Sequence, residues 1–315
     1  MKKSSKIYVA GHQGLVGSSL IRHLHAQGFT NVIVRTREQL NLLDYNSVRT
    51  FFEQELPEYV IDSAARVGGI KANIENQAVF LFENLQIQNN LVWNAHLTDV
   101  KKFIFLGSSC IYPRICPQPM KEEYFLTGPF EPTNEGYAVA KTAGIKLCEY
   151  MQDQFHQTFV SIMPCNVYGP NDHFSPEYSH VHAGLMRRLH EAKSNNASEV
   201  IVWGTGNSRR EFIHVDDLAQ AVLFVLKNYE GKQFLNVGSG NDISIRELAQ
   251  LLASIVDYHG NLRFDSSKPD GMPKRLMDSS TLNALGWKAE IRLEEGLREL
   301  YRWFLEHETK DRVHT

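Results

Sequence analysis

The chain has 315 residues, 43% of them hydrophobic and 22% charged, with 33 Lys and Arg against 36 Asp and Glu for a net charge of −3. That length suits one large or two interleaved domains around a sizeable core, and the near balance of charge gives no case for a nucleic-acid partner. No apolar run approaches the roughly 20 residues of a membrane span, and the basic start Met1–Ser5 runs into an apolar stretch, Ile7–Ala10, too short for a signal peptide.

Lys6–Ala10 reads as a short buried strand that ends at Gly11-His12-Gln13-Gly14-Leu15-Val16-Gly17, with a helix after it carrying Val16, Leu20 and Leu24 on one side. This G-x-x-G-x-x-G is a variant of the dinucleotide fingerprint: small residues let the backbone approach a pyrophosphate whose charge sits at the helix N-terminus. Three glycines also make a tight turn without any ligand. The strand before and the helix after are what point to binding. A second strand, Asn31–Val34, ends in Arg35-Thr36-Arg37. An acidic residue there would accept bonds from the adenosine ribose of NAD, whereas arginine suits a 2′-phosphate, so Arg35 and Arg37 point to NADP(H).

The third strand, Tyr59–Ala65, leads to Val67-Gly68-Gly69-Ile70 and a long helical stretch, Asn73–Leu97. A fourth, Lys102–Leu106, ends at Gly107-Ser108-Ser109-Cys110. In a doubly wound sheet the carboxyl ends of the strands line the ligand crevice, where the Ser108 hydroxyl could bond a substrate carbonyl oxygen; a strand-end serine also serves as a turn or helix cap. A helix over Thr133–Met151 then carries Tyr137 and Lys141 four residues apart, on one face. An ammonium beside a phenol favours the phenolate, which makes Tyr137 a usable proton donor and acceptor. The same spacing fits an amphipathic helix with one exposed Lys and one half-buried Tyr.

Alternation continues through a strand at Thr158–Met163 and then loosens: a polar loop over Asn171–Ser179, a helix over His182–Ser194, a strand at Val200–Gly204 and a helix over Leu218–Leu226. Ser244-Ile245-Arg246-Glu247 is a capping box, and Ile245, Leu248, Ala249, Leu252 and Ile255 form the stripe of the helix it opens. The pattern is α/β, a doubly wound parallel sheet (Rossmann type) with a second, smaller α/β domain woven in. We assign residues 1–164 plus 211–236 to the nucleotide domain and 165–210 plus 237–315 to the substrate domain. Cys110, Cys116, Cys148 and Cys165 form no C-x-x-C pair and no zinc spacing, so reduced thiols of a cytoplasmic protein and no metal site are expected.

Ser108, Tyr137 and Lys141 with the glycine loop resemble an extended short-chain dehydrogenase/reductase of the nucleotide-sugar branch. Val67–Ile70, Gly107–Pro113, Glu131–Glu135, Ser179-His180-Val181, Val202-Trp203-Gly204 and Lys268–Gly271 are similar to the GDP-L-fucose synthases over nearly the whole chain. The resemblance implies epimerisation of GDP-4-keto-6-deoxy-D-mannose at C3 and C5 and reduction at C4 with NADPH. It implies Cys110 and His180 as the acid–base pair, their individual roles open, with Ser108 and Tyr137 on the C4 oxygen and Lys141 tuning Tyr137 and holding the nicotinamide ribose. NADP(H) would be held by Gly11, His12, Gln13, Gly14, Leu15, Val16, Gly17, Arg35, Arg37, Asn41, Leu42, Leu106, Gly107, Ser108, Ser109, Tyr137, Lys141, Pro164, Asn166, Val167 and His180. Arg188 and Arg210 would meet the diphosphate, Trp203 stack on the guanine and Asp270 contact the GDP-sugar. A homodimer through Asn73–Leu97 and Thr133–Met151 is the family expectation.

The chain departs from that pattern at Gln13, where relatives often carry arginine, and at Gly136, Cys165 and His182-Ala183-Gly184. The resemblance sets these last beside the sugar pocket, so an epimerase/reductase, or a reductase alone, acting on a related GDP-4-keto-heptose in capsule or lipopolysaccharide synthesis is the alternative. A 4,6-dehydratase would place Asp-Glu after the hydroxyl residue, where this chain has Ser109-Cys110. A non-catalytic NADP sensor could lose Tyr137 or Lys141, and both are present.

Overall fold

The computed structural model describes residues 1–175, 178–268 and 270–307. The order is β1 Ile7–Ala10, α1 Leu15–Ala26, β2 Val32–Ile33, α2 Tyr45–Glu55, β3 Tyr59–Asp62, α3 Ile70–Glu75, α4 Gln77–Leu97, β4 Lys102–Leu106, α5 Glu135–Phe155 and β5 Thr158–Pro164. Then come β6 Asn166–Tyr168, α6 Val181–Ser194, β7 Glu199–Trp203, β8 Arg209–His214, α7 Val215–Asn228, β9 Leu235–Val237, β10 Asp242–Ser244 and α8 Ile245–Val256. The chain closes with β11 Asn261–Asp265, β12 Lys274–Arg275, α9 Ser280–Ala284 and α10 Leu293–His307.

Six strands form one sheet in the order β2-β1-β3-β4-β5-β9, every pair parallel. Helices on both faces require strands that are apolar throughout: β1 and β4 are buried at every residue. After β1 the chain goes to β2 on one side and returns to β3 on the other. That reversal is the switch point where such sheets open a crevice, and Gly11–Gly17 lies there. This is the doubly wound parallel sheet expected from the sequence.

Some elements differ in extent. β3 stops at Asp62 because its Oδ1 accepts the Ala64 N–H at 3.0 Å, turning the chain out of the ladder. The stretch Asn73–Leu97 is two helices. Asn76, at φ −131° and ψ 30°, leaves the helical region, and its side-chain amide bonds back to the Ala72 carbonyl at 3.0 Å. α5 runs on to Phe155 and stops where His156 turns left-handed at φ 57°.

β8 is the hub of the smaller part, pairing with β6 and β12 in parallel and with β10 antiparallel, while β7 pairs with β11. Successive strand residues face opposite ways, and β8 uses this to span two apolar cores. Phe212 joins a core with Leu185, Leu189, Leu252 and Leu300, and Ile213 joins the main-sheet core with Leu218, Val222 and Leu235. Met277, Leu282 and Trp287 also pack into the main core. The Ser244–Glu247 capping box forms as expected, both of its bonds present at the head of α8.

Candidate active site

The glycine loop is built without spare room. Gly11 turns at φ +77°, and a Cβ on Gly17 would lie 2.1 Å from the Gly11 carbonyl oxygen. α1 starts after Gly14 with no side-chain cap and no acidic residue in its first turn. Its first N–H groups are therefore left for an anion, and the cradle fits the pyrophosphate of a dinucleotide. His12 abuts the Arg35 backbone, and burial lowers its pKa. Arg35 is bonded to Glu55 of α2 at 2.5 Å, to the Val34 carbonyl at 2.8 Å, and lies over Phe51; Arg37 is exposed. Asn41 accepts the Leu43 N–H and the Leu42 carbonyl accepts the Asn90 amide, fixing the segment after β2.

Ser108, two residues past the end of β4, is extended and accepts the Cys110 N–H at 3.3 Å, which closes a short turn over Ser109–Ile111. Tyr137, in the first turns of α5, has the Ser108 hydroxyl beside it and meets Phe80 edge-on at 6.4 Å. Lys141 is buried one turn later. Its Nζ donates to the Leu106 carbonyl at 2.8 Å, 4.6 Å above the Phe105 ring and 5.9 Å from the Tyr137 ring centroid.

Here the structure corrects the expected tuning. The Tyr137 phenol is pushed above its ordinary value by burial, with Cys110 and Asp62 adding to it and the Ser108 bond opposing. Lys141 is itself driven down by burial, with Asp62 opposing. The ammonium is committed to a main-chain oxygen of β4. Cys110 is also buried, and burial raises its thiol. The Ser108 bond and the charges of Arg275 and Lys141 pull the other way.

His180 occupies the N-cap position of α6 without a side-chain cap bond and is exposed, in a loop tied to Gly69 through the Gly69 N–H on the Tyr178 carbonyl at 2.7 Å. Crowding by protein atoms lowers its pKa, Asp172 opposing and His182 and His173 adding to the fall. The His182 ring lies nearly parallel to it, centroids 6.3 Å apart, and is bonded through Nε2 to Asp172 at 2.6 Å.

Toward the smaller part, Arg188 donates to the Gly184 and Ile201 carbonyls, and burial lowers its pKa. Arg210 donates to the Arg209 and Met272 carbonyls, burial first and Arg275 second bringing it down to about 10. Trp203 is half exposed, with Lys268 near its ring, and the Asp270 carboxylate is taken up by the N–H and hydroxyl of Thr205. Asn166 and Val167 lie on β6 after Pro164, the Asn166 amide donating to the Glu211 carbonyl at 2.7 Å.

Sequence reasoning missed four groups: Asp62, whose buried Oδ2 has no partner among the described residues; the Asp172–His182 pair; Glu211; and Arg275. Only His182 carried a signal, as a departure from the family pattern. Among the described residues no group of three or more His, Cys, Asp or Glu is arranged to hold a metal, and no helix is long and apolar enough to cross a membrane.

The model of the NAD dependent epimerase/dehydratase family matches residues 7–238. The chain is 54% identical over 306 residues to the probable GDP-L-fucose synthase 1 of Oryza sativa subsp. japonica, covering 97% of this chain and 93% of that one. Among solved structures it is similar to a GDP-6-OMe-4-keto-L-xylo-heptose reductase from C. jejuni, with TM-score 0.93 and 36% identity over 98% of this chain and 99% of that one. It is also similar to a GDP-L-fucose synthetase from Naegleria fowleri bound to NADP, with TM-score 0.92 and 27% identity over 99% and 97% of the two chains. The chain therefore belongs to the NAD dependent epimerase/dehydratase family, in its GDP-L-fucose synthase branch.

Proposed function

We propose that the protein converts GDP-4-keto-6-deoxy-D-mannose to GDP-L-fucose, epimerising C3 and C5 and then reducing C4. The observation that carries this reading is Cys110 two residues past Ser108, its side chain buried in the short turn that the Ser108 hydroxyl closes. A reductase needs only the hydroxyl, phenol and lysine; the thiol adds a group able to exchange a proton with carbon.

A C4 ketone acidifies the protons on its neighbours, and inversion needs one group to remove a proton and another to return it from the opposite face. Cys110 and His180 are that pair. Ser108 and the Tyr137 O–H hold the C4 oxygen while its charge develops, and such donors are worth about 10²–10³ in rate each. Burial keeps the phenol protonated, which suits it to give up that proton as C4 is reduced. NADPH, when bound, supplies the hydride. The Gly11–Gly17 cradle would hold its pyrophosphate, Arg35 and Arg37 the adenosine end, and Lys141, Pro164, Asn166 and Val167 the nicotinamide end. Arg188 and Arg210 take the diphosphate of the GDP-sugar as guanidinium forks, with Trp203 against the guanine and Asp270 shaping the turn beside it.

We read residues 1–164 plus 211–236 as the nucleotide unit and the rest as the substrate unit; the presence of two cores supports two units, with Phe212 packed in the smaller core and Met277, Leu282 and Trp287 in the main one. The apolar surface of α4 and α5 that stays exposed, Val79, Phe82, Trp93 and Val139 among it, supports a homodimer through these helices. Four free cysteines support a cytoplasmic location.

A GDP-4-keto-heptose is the second reading, favoured by the likeness to the C. jejuni reductase and by His182 behind His180. Mass spectrometry of products made in heavy water tests both. GDP-fucose carrying deuterium at two carbons is the expected result. Turnover of the heptose alone would favour the second reading, and reduction without deuterium would leave a simple reductase. Cys110→Ser should keep C4 reduction and lose deuterium incorporation by about 10²-fold or more.

A further inference from the structure

Asp62 is a carboxylate in the core whose turn at the end of β3 uses half of it. The side chain is 1% exposed; Oδ1 accepts the Ala64 N–H at 3.0 Å, and Oδ2 is buried with no hydrogen-bond partner among the described residues. Such a group is costly to bury unless a cation faces it. The sheet register shows which cation does. Ala10, Asp62, Phe105 and Ser161 are partners across β1, β3, β4 and β5, so their side chains share one face of the sheet. α5 packs on that face at Phe105, where a Cβ on Gly144 would lie 2.4 Å from the ring. Three residues earlier in α5, the Lys141 Nζ lies 4.6 Å from the centroid of the same ring. Asp62 therefore stands beside Phe105 in the sheet and Lys141 above it. Lys141 is 3% exposed, and of its three N–H donors one goes to the Leu106 carbonyl at 2.8 Å, its one hydrogen bond among the described residues.

We propose that Asp62 is a positioning residue for reduction at C4, its carboxylate supplying the counter-charge that keeps the buried Lys141 an ammonium beside Tyr137. The proposal rests on the reductase reading of Tyr137 and Lys141 and deepens it. When C4 accepts a hydride from bound NADPH, the carbonyl electron pair moves onto the oxygen, and that oxygen takes the Tyr137 proton. The phenol O–H bond breaks, a hydroxyl forms at C4, and a phenolate is left in a buried site. Lys141, 5.9 Å from the centre of the phenol ring, meets that charge only while it is protonated. Burial drives it toward the neutral amine, and Asp62 opposes this.

The other titratable groups facing the pair are Tyr8 from β1, Cys110 from the turn after β4, and Tyr137 and Cys148 from α5; α4 presents the uncharged Gln88 to the same face and β5 the uncharged Ser161. Burial raises all four, Cys148 to about 12, so each is neutral at working pH. Arg35 acts on Tyr8 from beyond β2 and is bonded to Glu55. The Asp62 carboxyl, raised by burial to about 6, is ionised from there upward and is the anion of the set. Without it the ammonium is left to one main-chain oxygen and an aromatic ring.

The test is the pH profile of kcat/KM for NADPH oxidation with GDP-4-keto-6-deoxy-mannose. Asp62→Asn keeps an oxygen for the Ala64 N–H and removes the charge. Taking an anion from beside a cation lets the cation lose its proton at lower pH, so the alkaline limb should move down by about one pH unit or more. On that limb the rate should fall about tenfold or more, and below it the change should be less than about threefold. Asp62→Leu, which removes the charge and the turn bond together, should move the limb the same way and serves should the Asn protein not fold. A limb left in place in the Asn or Leu protein would overturn the proposal alone. So would an equal loss at every pH, which would make Asp62 a strut at the end of β3 and no more. No NADPH oxidation by the unaltered protein would overturn the reductase reading together with the proposal.

Discussion

Glu211→Gln probes the joint that holds the substrate side of the cleft to β8. Glu211 is 0% exposed; its carboxylate accepts the Gly240 N–H at 2.7 Å and the Met277 N–H at 2.8 Å, tying both the β9–β10 connection and the segment after β12. No cation is among the groups acting on it and Asp242 adds negative charge, so burial dominates the backbone bonds and the carboxyl rises from 4.5 to about 7. Between those values the folded chain holds a proton that the unfolded chain releases, so stability falls as pH rises through the window. A displacement of that size is worth about 3 kcal/mol in full, of which about 2.5 kcal/mol is spent between pH 5 and pH 8.5. The amide of Gln does not titrate. It also turns an NH₂ toward one of the two N–H donors, a cost of about 1–3 kcal/mol at any pH. Urea unfolding followed by tryptophan fluorescence at the two pH values should therefore show the variant trailing at pH 5 and recovering about 2.5 kcal/mol relative to the parent at pH 8.5. Asp62, also raised by burial, to about 6, is common to both proteins and drops out of the comparison. A gap that stays the same within about 0.5 kcal/mol at both pH values would refute the assignment of a buried, cation-free carboxylate.

Tyr137→Phe removes the proton donor for C4 while leaving the ring against Phe80; NADPH oxidation should fall by about 10²-fold or more with NADPH affinity unchanged by fluorescence titration. Gly17→Ala pushes a Cβ to 2.1 Å from the Gly11 carbonyl oxygen, and overpacking of about 1–3 kcal/mol should weaken NADPH binding by tenfold or more. Normal affinity there would show that the loop relaxes freely. Ser244→Ala deletes the cap at α8, far from the chemistry, and should cost about 1 kcal/mol of stability. Its turnover should be unchanged, and an unchanged melting temperature would count against the capping box.

Most of the fold was written in local patterns. The apolar runs of β1 and β4, the glycine spacing at the switch point, the Ser244–Glu247 box and the four-residue step from Tyr137 to Lys141 each depend on neighbours within a turn or two, where periodicity and capping chemistry operate. The same locality explains the errors of extent. Asn76 breaks its helix, and Asp62 ends its strand, through side-chain bonds to nearby backbone that compete with the regular ladder.

What the sequence alone determined, then, is the alternation of strand and helix, the glycine loop at the switch point and the candidate groups for the chemistry proposed above. The tertiary structure decided which charge each of those groups meets. Lys141 donates to the Leu106 carbonyl, Arg275 is set in register with Arg210 by a strand that pairs on β8, and His182 is turned behind His180 with Asp172 at its far nitrogen. Electrostatic partners are fixed by proximity and burial, and both arise only when segments distant in the chain are packed together.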